Sequence, residues 1–330
     1  MHFHPSKNLL VRSVLGVFLS LSFLANVSAQ GVGSWPKQKP IRLIAVFPPG
    51  GSVDQVARIL APALQADLKQ NFIVENIGGA SGVIGTSALV RSEPDGYTFA
   101  VVFDTHGVNP SLKDKMPYDT MKDIAPVTLI GTSAMLLTAS KASGVTSFKQ
   151  LIEQSKNKKS FGYGSIGIGS LGHLAMASLA KQAGFDWNHI PYRGGGPLIQ
   201  DVLGGQVPLA IGSEFLLKPQ ADSGLVIPLA VTTSKRTKGM PNVPTIAESG
   251  YPGFDAPAWW GVIATGKTPP AIVNEMNKAI NRVLKTPAVK QKLEAQGIVI
   301  AGGDPNTLQA FIAKQMGMWG KFVIQNGIKE

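Results

Sequence analysis

Two glycine-rich segments, each set between an apolar run and an amphipathic one, constrain this chain more than any other feature. The first is Phe47-Pro48-Pro49-Gly50-Gly51-Ser52-Val53-Asp54, after the apolar run Ile41 to Val46. The second is Tyr163-Gly164-Ser165-Ile166-Gly167-Ile168-Gly169-Ser170, before a helical pattern that starts at Leu171. Glycine lets backbone N–H groups approach a ligand with no Cβ in the way. When a helix follows, its first amides and its dipole favour an anion. The segments lie more than a hundred residues apart, so they imply two halves gripping one small anionic molecule.

Strand and helix patterns alternate along the chain, which predicts an α/β fold with mixed, mainly parallel sheets flanked by helices. Residues 41–47 read as a buried strand. Residues 52–69 read as a helix with Val53, Val56, Ala57, Leu60, Leu64 and Leu68 on its apolar side. Ser52 suits an N-cap, and Asp54 suits the first turn. After the loop Gly78 to Gly82 come a helix over 83–91 and a strand over 97–103. Strands at 127–130 and 135–138 follow, then a helix over 147–157. The pattern repeats with a strand at 161–164, a helix over 171–182 and a strand at 187–191. Gly194-Gly195-Gly196 leads into a helix over 197–203, with strands at 207–211 and 227–231. A late strand at 259–264 precedes helices over 270–284, 288–296 and 307–325, with prolines near their starts. That late strand has too few neighbours of its own, so the chain is expected to return to its first half after about Gly250. The expected division is 36–133 with 251–330 as one domain and 134–250 as the other. Two crossovers then form a hinge, with the ligand near the carboxyl ends of the strands.

The amino-terminal 29 residues read as a secretory signal peptide. Lys7 and Arg12 are basic, Val14 to Leu24 is mostly apolar, and Val27-Ser28-Ala29 gives the cleavage pattern. The apolar run is too short for a membrane span of roughly 20 residues. Cleavage after Ala29 is expected. The sequence has no cysteine, which excludes disulfides, thiolate metal sites and a lipoprotein anchor. Loss of Lys7 and Arg12 takes the formal charge from +11 to +9. The basic residues are scattered, and no aromatic-and-arginine pattern accompanies them. Steering of small anions explains the charge better than nucleic acid does.

Several motifs compete with an anion clamp. Gly167-Ile168-Gly169-Ser170-Leu171-Gly172 fits a dinucleotide fingerprint, but the next strand ends at Tyr192-Arg193-Gly194 rather than at an acid. A backbone nest for a carboxylate fits better. Ser170 and His173 share a helix face and invite a nucleophile–base reading. No Gly-x-Ser-x-Gly elbow is present, so a capping Ser170 beside a hydrogen-bonded His173 is preferred. His106, His173 and His189 lack metal-ligand spacing. Asp104 and Glu214 stand at strand ends, where they either pair with a cation or meet a ligand that carries a donor. Arg193 suits a carboxylate clamp or an ion pair. Trp259 and Trp260 suit either a stacked ligand or hinge packing.

At these residues the chain resembles the Bug-type periplasmic solute-binding receptors of tripartite tricarboxylate transporters. The likeness runs from about Trp35 to the end. It includes Lys39-Pro40-Ile41-Arg42-Leu43-Ile44, the 47–54 segment, Gly79-Ala80-Ser81-Gly82 and Pro94-Asp95-Gly96-Tyr97-Thr98. It continues through Tyr163-Gly164-Ser165, Gly169-Ser170, His173-Leu174, Pro191-Tyr192-Arg193-Gly194, Gly204-Gly205-Gln206-Val207 and Glu248-Ser249-Gly250. The resemblance implies a two-domain, hinge-closing periplasmic binding protein of type II character. It implies a carboxylate ligand, whether a di- or tricarboxylate, an amino acid or an aromatic acid. No catalysis, cofactor or metal is implied. The carboxylate-holding role then falls to Phe47, Pro49, Gly50, Gly51, Ser52 and Asp54, to Ala80, Ser81 and Gly82, and to Ser165, Gly169, Ser170 and His173. The distal end falls to Asp104, Thr105, Arg193, Gly194 and Glu214. The implied partners are the membrane subunits of a transporter, with no nucleic acid, and a monomer is expected. A sensor-kinase partner and an exported Ser/His hydrolase are the alternatives.

Overall fold

The computed structural model describes residues 35–157 and 159–329, together with Met1 and His2. The expected signal peptide and its cleavage point lie outside the described residues. Eleven strands are found among the described residues: β1 (Ile41–Ala45), β2 (Phe72–Asn76), β3 (Thr98–Phe103), β4 (Ile124–Ser133), β5 (Met135–Ser140), β6 (Gly162–Ser165), β7 (Asn188–Pro191), β8 (Leu209–Ser213), β9 (Val226–Val231), β10 (Ala258–Thr265) and β11 (Val299–Ile300). They form two sheets. One has the order β11-β4-β10-β3-β1-β2, and the other β7-β6-β8-β5-β9. The first sheet with its helices is termed the first lobe, and the second sheet with its helices the second lobe.

Helices flank both sheets, as the alternation requires. They are α1 (Ser52–Leu68), α2 (Val83–Val90), α3 (Asn109–Leu112), α4 (Phe148–Lys156), α5 (Leu171–Ala183), α6 (Gly195–Leu203), α7 (Glu214–Asp222), α8 (Pro270–Leu284), α9 (Pro287–Glu294) and α10 (Pro305–Gln325). The helix α7 was not expected from the sequence. Its pattern carries Pro219 and little apolar periodicity, yet Phe215, Leu216 and Leu217 are buried.

Parallel pairing covers less of each sheet than the alternation implies. The strand β1 is parallel to β2 and β3, and β6 to β7 and β8. In contrast, β10 runs antiparallel between β3 and β4, and β5 antiparallel between β8 and β9. A crossover helix enforces parallel pairing only between strands that it joins directly. The strands β5 and β10 arrive from the opposite sheet instead, through Ala134 and through residues 232–257.

The first core forms where the apolar face of α1 meets the sheet. Val53, Val56, Ala57, Leu60 and Leu64 are buried there. Every residue of β10 is buried, because helices cover both faces of a central strand. Trp259 and Trp260 are fully buried in it. Trp260 lies 4.9 Å from Phe103 and 5.9 Å from Phe215, centroid to centroid, and so packs across both lobes. The paired tryptophans are packing residues.

Close packing also fixes the 79–82 loop. A Cβ on Gly85 would stand 2.4 Å from the Ile77 carbonyl oxygen and 3.0 Å from Val46 Cα. The helix α2 therefore sits against the backbone that leads into the first glycine segment. Gly85→Ala is expected to cost about 1–3 kcal/mol of stability. Urea unfolding tests this as a lower midpoint at unchanged slope.

Candidate functional site

The first glycine segment is shaped from behind by Asp54. Its Oδ2 accepts the Gly50 N–H at 3.0 Å. Its Oδ1 accepts from Arg58 Nε at 2.8 Å and from Asn76 Nδ2 at 2.9 Å. Asn76 Nδ2 also reaches the Phe47 carbonyl at 3.1 Å. Asp54 thus has partners inside its own lobe and shapes the loop. Gly51 occupies the N-cap of α1, where no side chain caps the helix. Ser52 is the first helical residue rather than the expected N-cap. The first-turn amides of a helix have no partner within it. Those of α1 accordingly remain as donors, and the Ser52 hydroxyl stands beside them.

The second element is the turn at 79–82. Gly79, Ala80, Ser81 and Gly82 all have positive φ, at 125°, 47°, 54° and 90°. Left-handed alanine and serine are costly and persist only where the surroundings enforce them. Asn109 Nδ2 does so by donating to the Ser81 carbonyl at 3.1 Å. The strained turn aims Ser81 Oγ across the lobe boundary, where it donates to the Ile168 carbonyl at 3.0 Å. Thr105 is buried behind it, with Oγ1 3.7 Å from where a Gly82 Cβ would stand.

The second glycine segment is held by side chains of its own lobe. Ser165 Oγ donates to the Gly167 carbonyl at 3.0 Å, and Ser170 Oγ donates to Ser165 Oγ at 3.1 Å. Ser170 also caps α5 by accepting the His173 N–H at 3.3 Å. His173 Nδ1 accepts the Gly169 N–H at 3.0 Å. The His173 ring stacks on His189 at 3.8 Å, and His189 Nε2 lies 2.7 Å from Ser165 Oγ. The Ser170 hydroxyl proton and the His173 ring therefore serve the loop rather than each other. Ser170 Oγ points to Ser165, and the Nδ1 lone pair of His173 is used by Gly169. The Gly169 amide is likewise consumed internally.

The lobes meet over these loops. The third glycine stretch packs on the first. A Cβ on Gly194 would lie 3.1 Å from Pro48 Cδ, and one on Gly196 would lie 3.1 Å from the Pro49 oxygen. A Cβ on Gly195 would lie 3.4 Å from Gly51 Cα. Between them is a cavity lined by Phe47, Gly51, Ser52, Val53, Phe103, Ile166, Gly195, Ser213 and Leu216. About 10 Å³ of it is open to the centre of a water molecule, room for about one water. Ser213 Oγ is buried there without a hydrogen-bond partner among the described residues.

Of the residues chosen from sequence, Phe47, Gly51 and Ser52 line the cavity. Pro49, Gly50 and Arg193 are exposed, and Arg193 makes no ion pair among the described residues. Ala80 and Ser81 are half-buried at the lobe boundary, and Gly82, Ser165, Gly169, Ser170 and Gly194 are buried there. Glu214 is placed elsewhere. Its carboxylate is wedged between Gly239 and Gly297, where a Cβ on either would lie within 2.5 Å of it. It leaves the cavity lining to Ser213 and Leu216. Ser213 is the polar residue that sequence reasoning missed. A small hydroxyl at the carboxyl end of β8 was the available signal.

Burial sets the electrostatics. Asp104 is 2% exposed. Burial pushes its carboxyl up to about 7, against two backbone amides that favour the charge. Burial likewise raises Glu214 to about 7, eased by Thr237 and Lys218. Burial lowers His106 and His173 to about 4. His189 falls to about 3 through burial and the neighbouring His173. The stacked pair is therefore neutral when folded, whereas a free imidazole titrates near 6.5. As pH falls below 6.5 the unfolded chain takes up protons first. The pair's stabilisation is complete above about 6.5 and is lost as pH falls toward 4. His173→Phe keeps a stacking ring but loses the acceptor for Gly169. The wild-type stability advantage over this variant is expected to be largest above pH 6.5 and to shrink toward pH 4, as urea titrations at stepped pH will show.

Comparison with known proteins agrees with this arrangement. The model for "Tripartite tricarboxylate transporter family receptor" matches residues 56–328. Protein BugT of Bordetella pertussis (strain Tohama I) is 36% identical over 321 residues, covering 96% of this chain and 97% of that one. An R. palustris protein solved with adipate superposes with a TM-score of 0.86 at 33% identity, covering 89% and 99% of the two chains. MatC from Rhodopseudomonas palustris with bound malate gives 0.82 at 27% identity, covering 87% and 99%. A chain with this seam between two mixed α/β lobes, matched along nearly its whole length, belongs to the tripartite tricarboxylate transporter family of receptors and is of the Bug type.

Proposed function

We propose that this receptor closes on a small organic carboxylate and presents it to the membrane subunits of a tripartite transporter. One observation carries the reading. The uncapped amino terminus of α1, with Ser52, faces an enclosed seam whose opposite wall offers the unpartnered hydroxyl of Ser213. Neutral donors in an enclosed, low-dielectric space hold an anion more strongly than they do in water. The relatives solved with adipate and malate support a carboxylate as the guest. The chain acts as a monomer in the periplasm after removal of residues 1–29. Its moving parts are 36–133 with 251–330 and 134–250, and the crossovers near Ala134 and over 232–257 act as the hinge. The receptor performs no covalent chemistry. The commitment of Ser170 to Ser165 and of His173 to Gly169 argues against a hydrolase.

A thermal-shift panel of mono-, di- and tricarboxylates, amino acids and aromatic acids tests the reading. A binder at a hundred times its Kd adds about 2.7 kcal/mol to stability. Ser213→Ala is expected to weaken a binder found in that panel by about 1.5–3 kcal/mol, the worth of one hydrogen bond to a charged group. Calorimetry gives the answer, and unchanged affinity removes Ser213 from the site. Ser170→Ala, in contrast, is expected to lower stability by about 1 kcal/mol through loss of the α5 cap.

A further inference from the structure

The seam holds two helix amino termini of opposite lobes, and they are not equivalent. That of α1 has no side-chain cap. That of α5 is capped by Ser170, and its Leu171 N–H is directed at Asp104 Oδ1, 3.4 Å away on the first lobe. Asp104 follows the cavity-lining Phe103 at the carboxyl end of β3. Its Oδ2 is buried without a hydrogen-bond partner among the described residues. Its charge is influenced by burial and by the Leu171 and Thr105 amides, with no cationic side chain contributing. The α1 end has Asp54 turned back onto Gly50 and balanced by Arg58, while the α5 end faces Asp104 from the opposite lobe, with no cationic side chain against it.

We propose that Asp104 makes closure selective for ligands carrying a protonated nitrogen beside their carboxylate, such as α-amino acids, over dicarboxylates of equal length. The inference rests on the carboxylate-receptor reading and names the ligand class of that same site. Parting the lobes hydrates Asp104, and shutting them strips that water away. A buried carboxylate without a counter-charge is unfavourable. An ammonium group on the guest supplies the counter-charge at the moment of closure. A second carboxylate on the guest adds repulsion instead. The hydroxyls and amides of the glycine segments do not discriminate in this way, because they recognise the carboxylate common to both classes.

The test is calorimetry at pH 7.5 with two matched pairs, glutamate against glutarate and aspartate against succinate. The wild type is expected to favour the amino acid at least tenfold in one pair. Asp104→Asn keeps an oxygen for the Leu171 amide but removes the charge, and the preference is expected to fall below threefold. A preference that survives in the variant overturns the proposal. A second measurement needs no variant. Glutarate or succinate is expected to bind the wild type at least threefold more tightly at pH 5.5 than at pH 8, because protonation of Asp104 relieves the repulsion. The titratable neighbours, His106 on the same segment and His173 in the first turn of α5, stay neutral down to about pH 4. An affinity that does not change with pH also overturns it. A wild type that binds only nitrogen-free acids overturns the selectivity and leaves the receptor reading standing. A wild type that binds no acid in the wider panel overturns both.

Discussion

The site depends on the carboxylate of Asp54. It sits at the third position of α1 and reaches back to the Gly50 N–H, while Arg58 and Asn76 hold its other oxygen. An acid at this position can close a capping box on the N-cap amide, but Asp54 reaches one residue further back, to Gly50. The other member of such a box, a Ser or Thr at the N-cap, is replaced here by Gly51. The Gly50 amide is held by Asp54, while the amino terminus of α1 itself has no side-chain cap. Under the proposed function an outside anion completes the cap. The same acid that repels an anion at a distance becomes the means of aiming donors at one, because Arg58 lies against it within 2.8 Å.

The second lobe solves the same problem differently. Its glycine segment spends its amides internally, on Ser165, His173 and the Gly167 carbonyl. What it contributes is a shaped wall, with Ile166 and Ser213 facing Phe47 and Ser52. The neutral, stacked histidines behind that wall carry no charge to compete with α1. At the glycine segments the lobes come close enough for backbone to take part in the contact. Gly51 meets Gly195, and Ser81 meets Ile168.

The parts legible in the sequence were those governed by local rules. Periodicity placed α1 and α8 to within a residue or two, since each buries one clean apolar face. Glycine spacing located the loops, and positive φ at Gly50, Gly167, Gly169 and Gly194 is the physical reason those glycines are there. The resemblance supplied the family. The direction of side chains was not legible. Asp54, His173 and Glu214 were all candidates to face the ligand, and each turns to a partner that is distant in sequence or fixed by the turn geometry. Sequence spacing tells which residues share an element, but not which of two sides of a tight loop they take. The helix α7 escaped because tertiary burial of three consecutive apolar residues overrides a weak helical period. Ser213 escaped for a related reason, since an unpartnered hydroxyl is defined by what surrounds it.

The tightness of the seam bears on how binding and closure are linked. About 10 Å³ of the seam is open to the centre of a water molecule, so under the proposed function a guest of four to six carbons holds the lobes slightly further apart. The contacts that would loosen first are those with the least area, the glycine stretch 194–196 on Pro48 and Pro49. The aromatic group of Phe103, Trp260 and Phe215 lies deeper and spans both lobes. It can act as the pivot, because ring contacts tolerate small rotations with little loss of buried area. Glu214 lies between a crossover segment and the first lobe, with Thr237 and Lys218 as the groups that favour its charge. The same small rotation that admits a guest at the glycine seam would move its wedge against Gly239 and Gly297.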